Sequence, residues 1–186
     1  MAVRGSSEWP VIEPDALLLS APRASSKRLA MYVECGKRGA YSTEMIELIV
    51  GVYVATCEAA ELDPLLVVSQ LILETDNLTT ERAFARPLLD PVGIAATRER
   101  TGSGGFRSWL DAARVHIGLL LAFALARGES SVQRRLLDEA RRWRPELEEL
   151  RGTAPTLDLL PHVWSAPPNY AERIRAVANT ILEPKY

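Results

Sequence analysis

The sequence predicts a mostly α-helical domain. Apolar residues recur at helical spacing in four separate stretches. Three of those stretches open on a Ser or Asp able to cap a helix, and the prolines fall between them or in a first turn. A chain of 186 residues suits one domain with a sizeable core, and 47% hydrophobic with 25% charged residues is an ordinary soluble balance.

Residues 1–24 hold three prolines, small residues and scattered charge, and read as an arm or linker, with the domain proper over 25–186. A short helix is expected from Ser25 to Cys35, closed by Gly36 and Gly39. "YSTEMIELIVGVYVATCEAAE" offers Ser42 or Thr43 as N-cap and acids in the first turn. Met45, Ile49, Val52 and Thr56 then recur at helical spacing, predicting one helix to about Ala60. "ELDPLLVVSQLILET" starts again with Asp63 as N-cap and Pro64 at the first helical position. Its apolar residues surround the axis, as in a central buried helix. Gln70 and Glu74, four apart, share one face a turn from each other.

From Asp76 to Arg107 helical period is lost. This stretch reads as a long loop with a β excursion near Val92 to Thr97 and a mobile Ser/Gly segment; loops of such length are usually functional. "SWLDAARVHIGLLLAFALARG" is a third strong helix, with Ser108 and Asp111 as a capping box and Gly128 as its stop. Trp109, Ala112, His116, Leu120 and Phe123 follow its core face. Arg127 to Arg151 carries seven Arg against six acids, with Arg135–Glu139 and Asp138–Arg142 at i,i+4 spacing. Such mixed charge reads as solvated helices broken at Pro145, not as a nucleic-acid surface. A last helix is expected from Asn169 or Tyr170, with Tyr170, Ile174, Val177 and Ile181 facing inward and Pro184 ending it.

Several function classes are excluded at this level. The net charge of -2 gives no reason to expect nucleic acid as a partner, and the preponderance of Arg over Lys follows composition bias. No uncharged run reaches the ~20 residues of a membrane span, and the apolar run Ile117 to Ala126 is too short for one. Cys35 and Cys57 have no metal-ligand spacing, and His116 and His162 are far apart, so no metal or other cofactor is expected. A Cys35–Cys57 disulfide is not expected. Glu, Pro and Asp interrupt the first twenty residues, which do not read as a secretory signal. No phosphate-binding loop, Ser-His-Asp arrangement or dinucleotide fingerprint occurs.

What remains is Glu74. A carboxyl at the end of a buried helix has its charged form disfavoured, and a carboxyl that keeps its proton can protonate a leaving-group oxygen. The plainer reading is an exposed or Arg-paired acid. Gln70 reads as a supporting partner, His116 as a packing histidine, and Phe106 and Trp109 as core residues. Trp164 and Tyr170 flank a double proline and could line a groove or staple the last helix.

Four segments in order, "LDPLLVVSQLILET", "ARPLLDPVGIAAT", "GFRSWLDAARVHIGLLLAFA" and "VWSAPPNYAERIRAVA", resemble the glucosaminidase domains of bacterial cell-wall hydrolases, a glycoside hydrolase family of the lysozyme-like superfamily. The resemblance spans about residues 25–182. It implies a lysozyme-like helical fold with a small β-bearing lobe beside a cleft, and hydrolysis of β-1,4 bonds in peptidoglycan glycan strands. It implies Glu74 as general acid, Gly93 as the turn glycine, and Gln70, Phe106, Trp164 and Tyr170 as substrate-binding. Two positions depart from the family pattern: Asp76 stands where Gly commonly follows Glu-Thr, and Asp90 where the turn usually has Asn. A second carboxylate would come from Asp76, Asp90 or Glu99; otherwise the substrate's own 2-acetamido group would serve as nucleophile. An inactive glycan-binding or structural module of the same fold is the alternative, and a hydrolase would act at the cell wall.

Overall fold

A computed structural model describes residues 10–36, 41–79, 105–164 and 166–184. The sites expected at Asp90, Gly93 and Glu99, and the β excursion near Val92 to Thr97, lie outside those residues. Among the described residues the fold is mostly α, with no strand and two isolated β-bridges.

Among the described residues the helices are α1 (Ser26–Cys35), α2 (Thr43–Ala60), α3 (Pro64–Thr75), α4 (Trp109–Ala124), α5 (Ser131–Trp143), the single turn α6 (Leu160–Val163) and α7 (Tyr170–Leu182). Short 3-10 turns, Pro145–Leu150 and Leu157–Leu159, join α5 to α6. Helix α3 is buried from Pro64 to Ile72, between α2 and α7. Asp63 caps it by accepting from Leu65 N at 3.0 Å, and Pro64 occupies the first-turn position where a missing N–H costs nothing. No described helix is long and apolar enough to cross a membrane.

The expected arm is not free over residues 10–24. Ile12, Leu18 and Ala24 are buried, Leu18 N donates to Pro155 O at 3.0 Å, and Asp63 N donates to Leu18 O at 2.9 Å. Arg23 Nη1 closes the contact with Asp63 Oδ2 at 2.6 Å. The prolines here forbid a helix but not an extended, hydrogen-bonded course, and the interspersed Ile and Leu supply the apolar anchor.

Helix α2 ends at Ala60 and buries Ile46, Ile49, Val50, Tyr53, Val54, Cys57 and Ala60, with Met45 and Val52 packed partly buried against the same core, so it is apolar over most of its girth. Two details of the helices differ from expectation. Helix α4 stops at Ala124 rather than near Gly128. Gly152 N and Ala154 N take the carbonyls of Ala122 and Phe123, each at 2.9 Å, so a later segment of the chain caps it. Its N-terminus has half a box: Ser108 Oγ accepts from Asp111 N at 3.1 Å and donates to Asp111 Oδ2 at 2.9 Å.

The full capping box is at α5, between Ser130 and Gln133. That charge-dense helix is amphipathic rather than wholly solvated, with Leu136, Leu137 and Ala140 buried against α4. Its acids pair with other arginines than the i,i+4 ones: Arg114 with Glu139 at 2.6 Å, and Arg141 with Asp138 at 3.0 Å. Cys35 is exposed, Cys57 is buried, and both are free thiols.

Candidate functional site

Glu74 occupies the last turn of α3, half-buried where the helix leaves the core. Periodicity puts Gln70 one turn before it on the same face, and the fold brings α7 alongside. The Tyr170 hydroxyl, from the first residue of α7, donates to Glu74 Oε1 in a short hydrogen bond. Gln70 Nε2 donates to Tyr170 Oη at 2.9 Å. Among the described residues no hydrogen bond falls on Glu74 Oε2.

Behind this trio the chain of polar contacts continues inward. Gln70 Oε1 lies 3.0 Å from His116 Nε2, and His116 Nδ1 lies 3.4 Å from Tyr53 Oη. Gln70, Tyr53 and His116 are at most 1% exposed. Burial pulls the His116 pKa down to about 3, so the ring is neutral at ordinary pH. Burial, and then the Glu74 charge beside it, push the Tyr170 phenol up, so Tyr170 keeps its proton as a donor.

The turn after Glu74 is unusual. Asp76, Asn77 and Leu78 have φ of 45°, 60° and 63°, three consecutive non-glycine residues in the left-handed region. Left-handed backbone costs an L-residue roughly 1–2 kcal/mol, and local bonds hold it here. Asn77 N donates to Ile72 O at 2.8 Å, Leu78 N to Thr75 Oγ1 at 2.9 Å, and Thr79 Oγ1 to Asp76 O at 2.7 Å. Asn77 Nδ2 reaches Val33 O at 2.9 Å, a path open because Gly36 has no side chain: a Cβ there would stand 2.2 Å from that nitrogen.

The residues singled out from sequence divide accordingly. Glu74, Gln70 and Tyr170 form one hydrogen-bonded group. Trp164 is half-buried, its ring 5.5 Å from His116 and 6.0 Å from Phe123, and so borders the inner end of the chain. Phe106 does not join them. It is 2% exposed and packs on Trp143 with ring centroids 4.4 Å apart, leaving no face for a sugar. Asp76 is exposed on the left-handed turn. Sequence reasoning missed Tyr53 and the part taken by His116. The available signal was a histidine on the core face of an apolar helix, which needs partners for two ring nitrogens.

No family model, curated protein or solved structure matches this chain.

Proposed function

We propose that the chain is a peptidoglycan hydrolase that cleaves β-1,4 glycosidic bonds of the glycan strand, with Glu74 as general acid. One observation carries the proposal. Glu74 sits half-buried at the end of a buried helix, with one carboxyl oxygen held by Tyr170 and the other left without a described partner. A glycosidase acid has to keep a proton and present it in a set direction to the leaving oxygen. With Oε1 accepting from Tyr170, Oε2 is the oxygen that carries the proton to the glycosidic oxygen as the bond to C1 breaks. Water then supplies the hydroxyl at C1 and restores the proton to Glu74.

The ordered segments that resemble glucosaminidase domains support this reading, and the turn after Glu74 adds to it. Where those domains have glycine after Glu-Thr, Asp76 has φ of 45°. It therefore takes a backbone conformation that glycine enters freely, so one left-handed turn can be built with either residue at this position. Asp76 lies two residues from the acid and is the described candidate for a second carboxylate. Retention would need it about 5–5.5 Å from Glu74 and inversion ~6.5–9.5 Å; assistance by the 2-acetamido group needs neither.

Digestion of purified peptidoglycan, followed by mass spectrometry of the fragments, tests the reading. New chains ending in reducing N-acetylglucosamine are expected, and N-acetylmuramic acid ends would make the enzyme a muramidase instead. Saturable binding with no new ends would identify a glycan-binding module and overturn the hydrolase.

A further inference from the structure

The polar contacts behind Glu74 have a direction, fixed by which atoms can only accept and by the burial of the imidazole. A carboxylate oxygen accepts, so the Tyr170 hydroxyl donates to Glu74 Oε1. Its oxygen is then the acceptor for an outside donor, which makes the Gln70 atom 2.9 Å away the amide nitrogen. That assignment turns the Gln70 carbonyl oxygen to His116, and an amide oxygen can only accept. The imidazole proton is therefore on Nε2. Full burial keeps the ring neutral, so Nδ1 keeps its lone pair, and Tyr53 is the donor that faces it. Every donor in the chain from Tyr53 points toward Glu74.

We propose that His116 is a positioning residue for Glu74. As the neutral Nε2–H tautomer it holds the Gln70 amide in the one orientation that turns the Tyr170 hydroxyl onto Glu74 Oε1, leaving Oε2 to deliver the proton. The catalytic meaning of this role rests on the hydrolase reading above; the donor order does not. The packing suits the role. His116 is fully buried and its ring is flanked by Tyr53 at 5.8 Å and Trp164 at 5.5 Å, so it has one orientation. A histidine kept for packing alone would be served as well by Leu or Phe. Here two helices, α2 and α3, each aim a polar group at it.

Two readouts test the proposal. In 15N-labelled wild type, the His116 imidazole is expected to show a protonated Nε2 and an unprotonated Nδ1, unchanged from pH 8 to 5. A proton on Nδ1, or on both nitrogens, overturns the donor order without any variant having to fold. The second readout is kinetic. His116→Leu is expected to lower kcat about tenfold or more with KM unchanged, the scale of one lost buried hydrogen bond. His116→Gln, which can place an N–H near the Nε2 position, is expected to recover most of that loss. Once Tyr170→Phe has cut the chain, His116→Leu should cost nothing further. The same loss in both backgrounds, or no recovery by Gln, would mean a structural role only and overturn the proposal. If wild type cleaves no glycan, the hydrolase reading falls and takes the positioning role with it, while the imidazole spectrum still decides the donor order.

Discussion

Asp76 carries the largest local departure from what a residue of its type prefers, and its neighbours show why it is tolerated. Aspartate enters the left-handed region more easily than most residues, and the turn is tied by the bonds to Ile72, Thr75 and Val33. A β-branched residue has no such tolerance. Asp76→Val is expected to be less stable than Asp76→Gly by ~1–2 kcal/mol in urea unfolding; equal stabilities would remove the backbone explanation for glycine at this position. Only part of this site was legible in the sequence. Gln70 and Glu74 are related by helical period, which sequence reports directly. Tyr53 and His116 reach them across three helices, and no spacing rule relates residues 46 or 63 positions apart. Tyr53 stands among the apolar residues of α2, where helical period does not single it out.

At the scale of the helix, two glycines that look alike in sequence differ in what surrounds them. Both Gly51 and Gly118 lie inside helices, where glycine costs roughly 0.5–1 kcal/mol relative to alanine. A Cβ on Gly51 would meet nothing within 4 Å, but one on Gly118 would stand 2.3 Å from Leu136 O and 2.9 Å from Ala140 Cβ. Gly118 is thus what lets α4 and α5 approach closely. Gly51→Ala is expected to stabilise the protein by ~0.5–1 kcal/mol. Gly118→Ala is expected to destabilise it by ~1–3 kcal/mol through overpacking. Thermal and urea unfolding of the pair check this, and shifts of the same sign would contradict the packing described. Helix starts were readable because the caps are local: Ser42, Asp63 and Ser108 each accept a backbone N–H as expected. The stop of α4 was not, because the groups that satisfy its last carbonyls come from residues 152–154, far along the chain.

Across the whole molecule, a buried neutral histidine makes stability depend on acid. His116 has a folded pKa near 3 against an unfolded value of about 6.5. Below pH 6.5 the unfolded chain therefore binds a proton that the folded chain refuses. Its stabilising contribution is complete above that pH and falls toward pH 3, by up to ~1.4 kcal/mol per pH unit. Between pH 6.5 and 5, above the carboxylates lowered by hydrogen bonds at Glu44, Glu129 and Glu146, the wild type should lose stability faster than His116→Gln. Parallel stability curves for the two would contradict a neutral buried His116. The helical class was legible from period and caps. The extended course of residues 10–24 was not, because proline-rich composition reads as a linker until its Ile and Leu are seen packed on the body. The hydrolase itself is tested most directly by measuring reducing ends released from purified peptidoglycan by wild type and Glu74→Gln, both confirmed folded. The variant keeps the shape and the acceptor for Tyr170 but has no acidic proton. Release by wild type and a loss of at least about a hundredfold in the variant are expected. Equal release by both would contradict Glu74 as the acid.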